Sequence, residues 1–202
     1  MRIAVMTFDG FNEIDSFVAS HILNRVPDAG WKAEITSPSE TVESRNGVVV
    51  TAQRPLEFAN EADAVLFGSG RLTRDIVENN NILSRIRLDP RRQLVGSQCS
   101  GALFLLKLGF AKGLPVCTDL ATRPCVEAAG VPVLDQTFFA SGNIASAGGC
   151  LASPYLAAWV IWRSLGRKAA EDALGYVAPV GEREHYIGDV LAGVAPFLAP
   201  AS

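Results

Sequence analysis

The chain has 202 residues, of which 49% are hydrophobic and 19% charged, and its net charge at pH 7 is −3. This length is typical of one domain with a sizeable core, so residues 1–202 are expected to form a single domain. The slightly acidic balance and the absence of a basic run argue against nucleic acid and anionic membranes as partners.

The apolar start of the chain indicates a buried strand. Met1–Phe8 has no long apolar run and no small-residue cleavage site, so it does not resemble a signal peptide. The longest later apolar stretch, Leu151–Leu165, contains Pro154 and Arg163 and is too short to span a bilayer. A cytoplasmic protein without membrane contact is therefore expected.

Strands and helices alternate along the first half of the chain. Arg2–Thr7 is a continuous apolar run, typical of a strand buried on both faces. After a loop, helical spacing of apolar residues predicts a helix over Asp15–Asn24, and Asn46-Gly47 predicts a hairpin turn. The other predicted elements of this half are strands at Lys32–Thr36, Thr41–Ser44, Val48–Ala52 and Asp63–Phe67 and a helix over Leu72–Leu88.

The alternation continues after Asp89-Pro90, which ends the preceding helix. The elements predicted here are a strand at Gln93–Ser97, a helix at Ser100–Leu108, a short strand near Pro115–Thr118, a helix near Thr122–Ala129, a hairpin around Ser141-Gly142-Asn143, and helices over Ser153–Leu165 and Lys168–Tyr176. The tail from Ala178 has too little pattern to be placed. Such alternation predicts an α/β fold whose mostly parallel sheet carries helices on both faces.

The segment Gly96–Gly101, GSQCSG, has the pattern of a nucleophile elbow. A strand ends, Cys99 stands at the break, and a helix begins among small residues that let a sharp turn close. Partial positive charge and free N–H groups at a helix N-terminus stabilise a thiolate, so Cys99 is expected to be an exposed and readily ionised nucleophile. The alternative is a structural, buried cysteine, the usual fate of a free thiol.

A second turn, Gly68-Ser69-Gly70, follows the preceding strand at the same edge of the sheet. A backbone N–H of this turn, together with the N–H of the residue after Cys99, would form an oxyanion hole. The alternative is an ordinary glycine turn.

Asp15 opens the first predicted helix. It could complement the helix dipole, or it could face Cys99 as a general acid/base whose pKa is raised by a neighbouring thiolate. Glu13 is the nearest competitor for the second role.

The remaining cysteines and histidines give no metal or disulfide pattern. The other three cysteines are Cys117, Cys125 and Cys150. No C-x-x-C pair is present, so neither a disulfide framework nor a zinc site is expected. His21 and His185 are expected to be structural. We therefore expect no metal and no cofactor.

Four segments together resemble the ThiJ/PfpI superfamily, which shares its flavodoxin-like fold with the class I glutamine amidotransferases. They are FDGFNEID at Phe8–Asp15, FGSG at Phe67–Gly70, GSQCSGALFLLKLGFAKG at Gly96–Gly113 and SGNIASAGG at Ser141–Gly149. The resemblance implies a three-layer α/β/α sandwich. The loop that carries Asp15 is most similar to the isonitrile hydratase branch.

The resemblance also implies roles for particular residues. Cys99 matches the family nucleophile, Asp15 the acid beside it, and Gly70 and Ser100 the positions whose N–H groups line the oxyanion site. It implies a homodimer with the active site near the subunit interface.

The chain departs from the pattern of that branch at three places. Thr118-Asp119-Leu120 stands where Thr-His-Trp is usual, so the histidine of a Cys–His pair is missing and Thr118 and Asp119 are only accessory candidates. Gly68 and Ser69 replace the first two residues of a Pro-Gly-Gly turn. Cys150 follows the glycines at 148–149 and would place a second thiol near the pocket.

Three functions fit these observations. The first is a cysteine-dependent hydratase or hydrolase that acts on a small carbon–nitrogen electrophile, with Cys99 as nucleophile and Asp15 as acid/base. The second is a redox-responsive or protective protein whose Cys99 is oxidised. The third is a binding module without catalysis, which the missing histidine keeps open.

Overall fold

The computed structural model describes residues 1–198. Its strands are β1 (Arg2–Met6), β2 (Lys32–Ser37), β3 (Thr41–Glu43), β4 (Val49–Thr51), β5 (Arg54–Pro55), β6 (Ala64–Phe67), β7 (Leu94–Gln98), β8 (Phe138–Ser141) and β9 (Ile144–Ala147). Its α-helices are α1 (Glu13–Leu23), α2 (Thr73–Ile76), α3 (Asn80–Leu83), α4 (Ala102–Lys107), α5 (Arg123–Ala128), α6 (Ser153–Leu165), α7 (Arg167–Val177) and α8 (Arg183–Val194). Short 3₁₀ turns at Leu56–Asn60, Cys99–Gly101, Cys150–Ala152 and Ala195–Phe197 complete the regular structure.

Seven strands form one sheet in the order β5-β2-β1-β6-β7-β9-β8. All neighbours in it are parallel except β8, which pairs with β9 in an antiparallel hairpin. The separate hairpin β3-β4 encloses the expected Asn46-Gly47 turn. The chain order reverses between β1 and β6, which is where flavodoxin-like sheets open a crevice at the carboxyl ends of their strands.

The sheet is buried on both faces, as the apolar strands predict. In β1, Ile3 and Val5 face a core shared with α1, α6, α7 and α8. Ala4 and Met6 face a second core, which includes residues of α4 and α5. These layers confirm the predicted three-layer α/β/α sandwich with a mostly parallel sheet.

Three predicted features differ from the structure. The single helix over Leu72–Leu88 is wrong, because the side chain of Asn79 accepts from the N–H of Asn81 and starts a second helix after α2 has ended. The strand near Pro115–Thr118 is reduced to one bridge, between Val116 and Val133. There the N–H of Cys117 donates at 2.8 Å to the side-chain hydroxyl of Ser146 in β9 and not to a backbone carbonyl. The unplaced tail contains α8.

No helix within residues 1–198 is long and apolar enough to cross a membrane.

The turn after β7 depends on close contact between two backbones. A Cβ atom at Gly101 would overlap the carbonyl oxygens of Phe67 and Gly68, at the end of β6. Since these are backbone atoms, they cannot rotate away. Glycine at position 101 therefore lets the turn that carries Cys99 lie directly against β6.

We expect Gly101→Ala to destabilise the protein by about 1–3 kcal/mol, because an added methyl group would force the backbone apart. Gly188→Ala is the matched control. Gly188 lies inside α8, and no atom lies within 4 Å of the position that a Cβ would take. Alanine there should add about 0.5–1 kcal/mol to the free energy of unfolding. Urea unfolding of both variants measures the two changes. Equal stability of the Gly101→Ala variant and the wild type would contradict the close-contact account.

Candidate active site

Two loops pair with each other at the carboxyl ends of β1 and β6. The N–H of Asn12 donates to the carbonyl of Ser69 at 2.8 Å, and the N–H of Arg71 donates to that of Gly10 at 2.9 Å. A Cβ at Gly70 would meet the backbone of Gly10 at 2.6 Å, so only glycine permits this approach. The pairing holds the start of α1 beside the turn after β6.

This pairing brings the carboxyl group of Asp15 into the protein interior. Asn12 caps α1 by accepting from the N–H of Ile14 at 3.2 Å, and the helix begins two residues before the predicted start. Asp15 therefore lies in the first turn of α1, and only 2% of its surface is exposed to solvent. The dipole interpretation and the acid/base interpretation of Asp15 are compatible, since the side chain is in the first turn and also points inward.

Cys99 occupies the break between β7 and the following 3₁₀ turn. Its φ of 49° is the only positive φ of a non-glycine residue within residues 1–198, and such a backbone costs of the order of 1–3 kcal/mol. The hydroxyl of Thr118 donates to the Cys99 carbonyl at 2.7 Å and so holds this turn. The backbone has the strained form that a nucleophile elbow requires.

The structure brings three reactive groups together. The sulfur atoms of Cys99 and Cys150 and a carboxylate oxygen of Asp15 all lie within 4.8 Å of one another. In residues 1–198 this is the one His, Cys, Asp or Glu cluster whose donor atoms are close enough to share a metal ion. Thiolate and carboxylate donors of this kind suit zinc. Cys99 and Cys150 were both expected near the pocket, and Asp15 faces them.

A buried glutamine links these groups to the backbone. The amide of Gln98 donates to the carbonyl of Cys150 at 2.6 Å and lies 3.4 Å from Oδ1 of Asp15. Its own oxygen accepts from the hydroxyl of Ser153 at 2.8 Å. Gln98 fixes one oxygen of the carboxyl group, whereas Oδ2 of Asp15 has no hydrogen-bond partner. The sequence analysis missed Gln98; a polar residue at the end of an otherwise apolar strand was the available signal.

Burial controls the protonation of this cluster. Desolvation raises the pKa of Asp15, although contacts with Ser69 and the two thiols oppose that rise. Burial also raises the pKa of the Cys99 thiol, and negative charge on Asp15 raises it further. The expectation of an exposed, readily ionised Cys99 is therefore wrong for the resting site, because the thiol is 3% exposed and beside an acid. Ionisation of this thiol requires a proton acceptor, and Asp15 is adjacent.

One of the two expected oxyanion donors, the N–H of Gly70, has a hydrogen-bond partner in the structure. The N–H of Gly70 donates to the hydroxyl of Ser100 at 3.2 Å, and that hydroxyl donates to Oγ1 of Thr73 at 3.0 Å. Gly70 and Ser100 both line the cavity at Cys99. Use of the Gly70 N–H by a substrate would require the Ser100 hydroxyl to rotate away, and the oxyanion role of both residues stays a prediction.

Asp119 and Glu13 have structural partners. Asp119 accepts from the N–H groups of Ala121 and Thr122 at 2.9 and 3.0 Å and so caps the turn before α5. The Asp119 carboxylate therefore acts as a cap and not as a hydrogen-bond partner of Cys99. Glu13 accepts from Ser44 and Asn46 of the β3-β4 hairpin, which lowers its pKa. Glu13 is thus directed away from the thiol, and Asp15 holds the position that both were candidates for.

Both histidines lie outside the cluster. His21 contacts the ring of Tyr176, with centroids 5.8 Å apart, and exposed His185 lies 3.3 Å from Asp189. No imidazole is available to Cys99 in the described residues.

A cavity of about 270 Å³ opens onto the two thiols. Three arginines line it: Arg45 from the β3-β4 turn, Arg71 from the loop after β6, and Arg74 from α2. The guanidinium group of Arg74 donates to the carbonyl of Ala121 at 2.7 Å. Within residues 1–198 none of these arginines lies within 4 Å of a carboxylate. The sequence analysis missed this basic rim, because its members come from separate loops.

This fold and site define a class of protein: flavodoxin-like α/β proteins with a cysteine at a nucleophile elbow. The model of the DJ-1/PfpI family matches residues 1–161. The chain belongs to the DJ-1/PfpI family.

Several solved structures share the fold. Schizosaccharomyces pombe DJ-1 is 14% identical with a TM-score of 0.76, over 89% of this chain and 100% of that one. A ThiJ/PfpI family protein from Pseudomonas syringae is 18% identical with a TM-score of 0.77, over 98% of this chain and 89% of that one. Oxidized Toxoplasma gondii DJ-1 is 17% identical with a TM-score of 0.71, over 87% of this chain and 97% of that one. No curated protein matches the sequence.

The raised pKa of Asp15 predicts a pH-dependent effect of its removal. A neutral carboxyl stabilises the folded state at low pH, and this contribution is lost as the pH rises through the raised pKa. Asp15→Asn should therefore increase the melting temperature, and the increase should be larger at pH 8 than at pH 4. An unsatisfied buried polar group costs about 1–3 kcal/mol, which sets the scale of the effect at neutral pH.

Differential scanning calorimetry from pH 4 to pH 8 measures this effect. Asp75→Asn, at an exposed position of α2, is the matched control and should change the melting temperature little at any pH. A melting temperature of the Asp15→Asn variant that falls below that of the wild type as the pH rises would contradict the assignment.

Proposed function

We propose that this protein is a cysteine-dependent enzyme that adds water to a small carbon–nitrogen electrophile, with isonitriles as the reference substrates. One observation carries the proposal: the Cys99 thiol stands on a strained elbow, beside the buried carboxyl group of Asp15, at the end of a cavity that fits a small molecule. Similarity of the Asp15 loop to the isonitrile hydratase branch supports this substrate class.

The first half of the reaction forms a covalent bond to Cys99. The carboxylate of Asp15 takes the thiol proton while the sulfur attacks the terminal carbon of the isonitrile. The protonated Asp15 then returns that proton to the same carbon, which yields a thioimidate on Cys99. Burial favours this coupled transfer, because a pKa raised toward neutral suits a group that must both accept and donate a proton.

The second half releases the product. Asp15, again a carboxylate, accepts a proton from water as the water attacks the thioimidate carbon. Asp15 passes that proton to the nitrogen. The carbon–sulfur bond then breaks as the carbonyl forms, and Asp15 moves the remaining hydroxyl proton to the departing sulfur. The product is an N-substituted formamide, so the net change is the addition of one water molecule. Covalent chemistry replaces one difficult addition by two easier steps.

Within residues 1–198 no histidine lies beside Cys99, and this fits the proposed reaction. An amidase must protonate a departing amine, and a Cys–His pair commonly supplies that proton. In the addition of water to an isonitrile no amine leaves, and one carboxyl group can move every proton that the reaction needs. Asp15 alone therefore suffices for the proposed chemistry, with Gly70 and Ser100 as candidate N–H donors to developing negative charge.

A second candidate function is favoured by a specific observation. Cys150 places another thiol beside Cys99, and an oxidised form of Toxoplasma gondii DJ-1 shares the fold. The protein would then be a redox-responsive protein whose Cys99 is the oxidised residue. Rapid oxidation of Cys99 without any turnover of isonitriles would favour this candidate over the enzyme.

Turnover of isonitriles tests the enzyme directly. We expect the wild type to convert them to formamides, and we expect Cys99→Ser to abolish the reaction because an alcohol is a far weaker nucleophile. Asp15→Asn should lower kcat by about 10²–10⁴-fold, the usual contribution of an acid/base group. Formamide production followed by nuclear magnetic resonance measures both.

The control for that assay is Cys125→Ser, since Cys125 is an exposed cysteine on α5. Its turnover should equal that of the wild type. Undiminished turnover in the Cys99→Ser variant would refute the assignment of the nucleophile.

The arginine rim predicts a preference for anionic substrates. Guanidinium groups without carboxylate partners attract a carboxylate through charge-assisted hydrogen bonds. We expect kcat/KM for isocyanoacetate to exceed that for its methyl ester. Arg71→Met should reduce this preference by roughly fivefold, the scale of an exposed charge pair, and added salt should reduce it as well.

The matched control is Arg87→Met. Arg87 is an exposed arginine that does not line the cavity. A preference that is the same in the Arg71→Met variant and the wild type would show that this rim does not select the substrate.

A further inference from the structure

A second thiol lies next to the proposed nucleophile in a position that the enzyme reaction does not use. The sulfur atoms of Cys150 and Cys99 lie within 4.8 Å of each other and share the carboxyl group of Asp15 as a neighbour. Cys150 lines the same cavity and is more exposed than Cys99. The sequence predicts a thiol near the pocket at this position without assigning it a role.

We propose that Cys150 is a resolving cysteine: a hydroperoxide that enters the cavity oxidises Cys99, and Cys150 then closes a reversible intramolecular Cys99–Cys150 disulfide. The inference deepens the redox candidate and does not depend on isonitrile turnover. Whether or not the protein hydrates isonitriles, the disulfide would prevent Cys99 from acting as a nucleophile until a dithiol reduces the bond.

The reaction balances with the two thiols, the carboxyl group of Asp15 and one hydroperoxide as the oxidant. The sulfur of Cys99 attacks an oxygen of the hydroperoxide, the O–O bond breaks, and Asp15 passes the thiol proton to the departing oxygen, which leaves as water or an alcohol. The product is a sulfenic acid at Cys99. The sulfur of Cys150 then attacks that of Cys99, the S–O bond breaks, and water leaves as the disulfide forms. Two electrons move from the two sulfurs to the peroxide.

The surroundings of Cys150 favour its part in the second step. The side-chain amide of Asn12 donates to the sulfur of Cys150 at 2.9 Å. Burial and the charge of Asp15 raise the pKa of Cys150, and this hydrogen bond opposes that rise. Asn12 is held in place by its role as the cap of α1. The attacking thiol thus has a fixed donor, and Asp15 lies beside it as a proton acceptor.

Formation of the disulfide requires the two sulfurs to approach to about 2.05 Å. The backbone that carries Cys150 is held, because the carbonyls of Gly149 and Cys150 both accept from the side-chain amide of Gln98, at 3.1 and 2.6 Å. Rotation of the two cysteine side chains therefore has to bring the sulfurs together.

The other two thiols are unsuited to the same reaction. Cys117 is fully buried and does not line the cavity. Cys125 is exposed on α5 and does not line the cavity. Neither belongs to the cluster around Asp15. An internal disulfide should therefore form between Cys99 and Cys150 alone.

The test is a titration of the full chain with one equivalent of hydrogen peroxide in the presence of a chelator. We expect free thiols, counted after denaturation, to fall from the four of the reduced chain to two, with a mass loss of about 2 Da. Digestion with trypsin and a glutamate-specific protease should give one cross-linked pair of peptides. Cleavage after Glu127 separates Cys150 from Cys117 and Cys125, so the pair identifies the bond. Dithiothreitol should restore all four thiols.

Cysteine variants distinguish the oxidised sulfur from the resolving sulfur. A sulfinic acid consumes two equivalents of peroxide, so the variants are treated with two. In Cys150→Ser, and equally in Cys150→Ala, we then expect no cross-link and a gain of about 32 Da at Cys99, the mass of a sulfinic acid. Cys99→Ser should form no internal disulfide, and Cys125→Ser should behave as the wild type does. A wild-type chain whose Cys99 becomes a sulfinic acid while Cys150 stays a free thiol would overturn the proposal, and so would a chain that resists peroxide. Because none of these readouts uses isonitrile turnover, the failure of one proposal can be told from the failure of the other.

Discussion

The site depends on placing one carboxyl group against a buried thiol. Asp15 is removed from water, Oδ2 has no hydrogen-bond partner, and contacts with Ser69 and the two thiols offset only part of the lost hydration. Desolvation therefore disfavours charge on Asp15 and on Cys99 alike. Two such groups cannot easily be ionised together, so a proton that leaves one is held by the other. Proton transfer between them is the chemistry that this arrangement favours.

Much of the surrounding structure serves to maintain that placement. The paired loops after β1 and β6 fix the start of α1, and Gly70 allows their approach. On the other side, Gly101 lets the elbow lie against β6, and Thr118 holds the Cys99 carbonyl. Strain at Cys99 and the burial of an unsatisfied carboxyl both cost stability, and the two apolar cores on either side of the sheet offset that cost. Proteins accept such local costs at functional sites.

The sequence predicts the sheet well and the shorter elements less well. Parallel buried strands such as β1, β6 and β7 are continuous apolar runs, so their pattern is strong. The interruption at Asn79 depends on a side-chain cap inside a segment whose apolar spacing still fits one helix. Val116 makes its bridge through backbone hydrogen bonds with Pro132 and Leu134, and the next N–H, that of Cys117, donates to Ser146, which is distant in the sequence. Local pattern carries no information about such partners.

The candidate site, like the fold, could be predicted from the sequence only in part. Cys99 and Asp15 were identifiable because each stands at the end of a strand or the start of a helix, where the fold class places reactive groups. The depth of their burial was not identifiable, and it reverses the expected ionisation of Cys99, because neighbours from several loops exclude water. The arginine rim and the contacts of Gln98 likewise arise only when separate segments meet.

The central claim is that the sulfur of Cys99 forms a covalent bond to the substrate with the help of Asp15. The most direct measurement is to mix the wild type with one equivalent of an isonitrile, quench with acid within the first turnover, and locate the added mass by peptide mapping. The account predicts an adduct with the full mass of the isonitrile on Cys99. Formamide production without that adduct, an adduct confined to Cys150, or a Cys99 that does not react would contradict it.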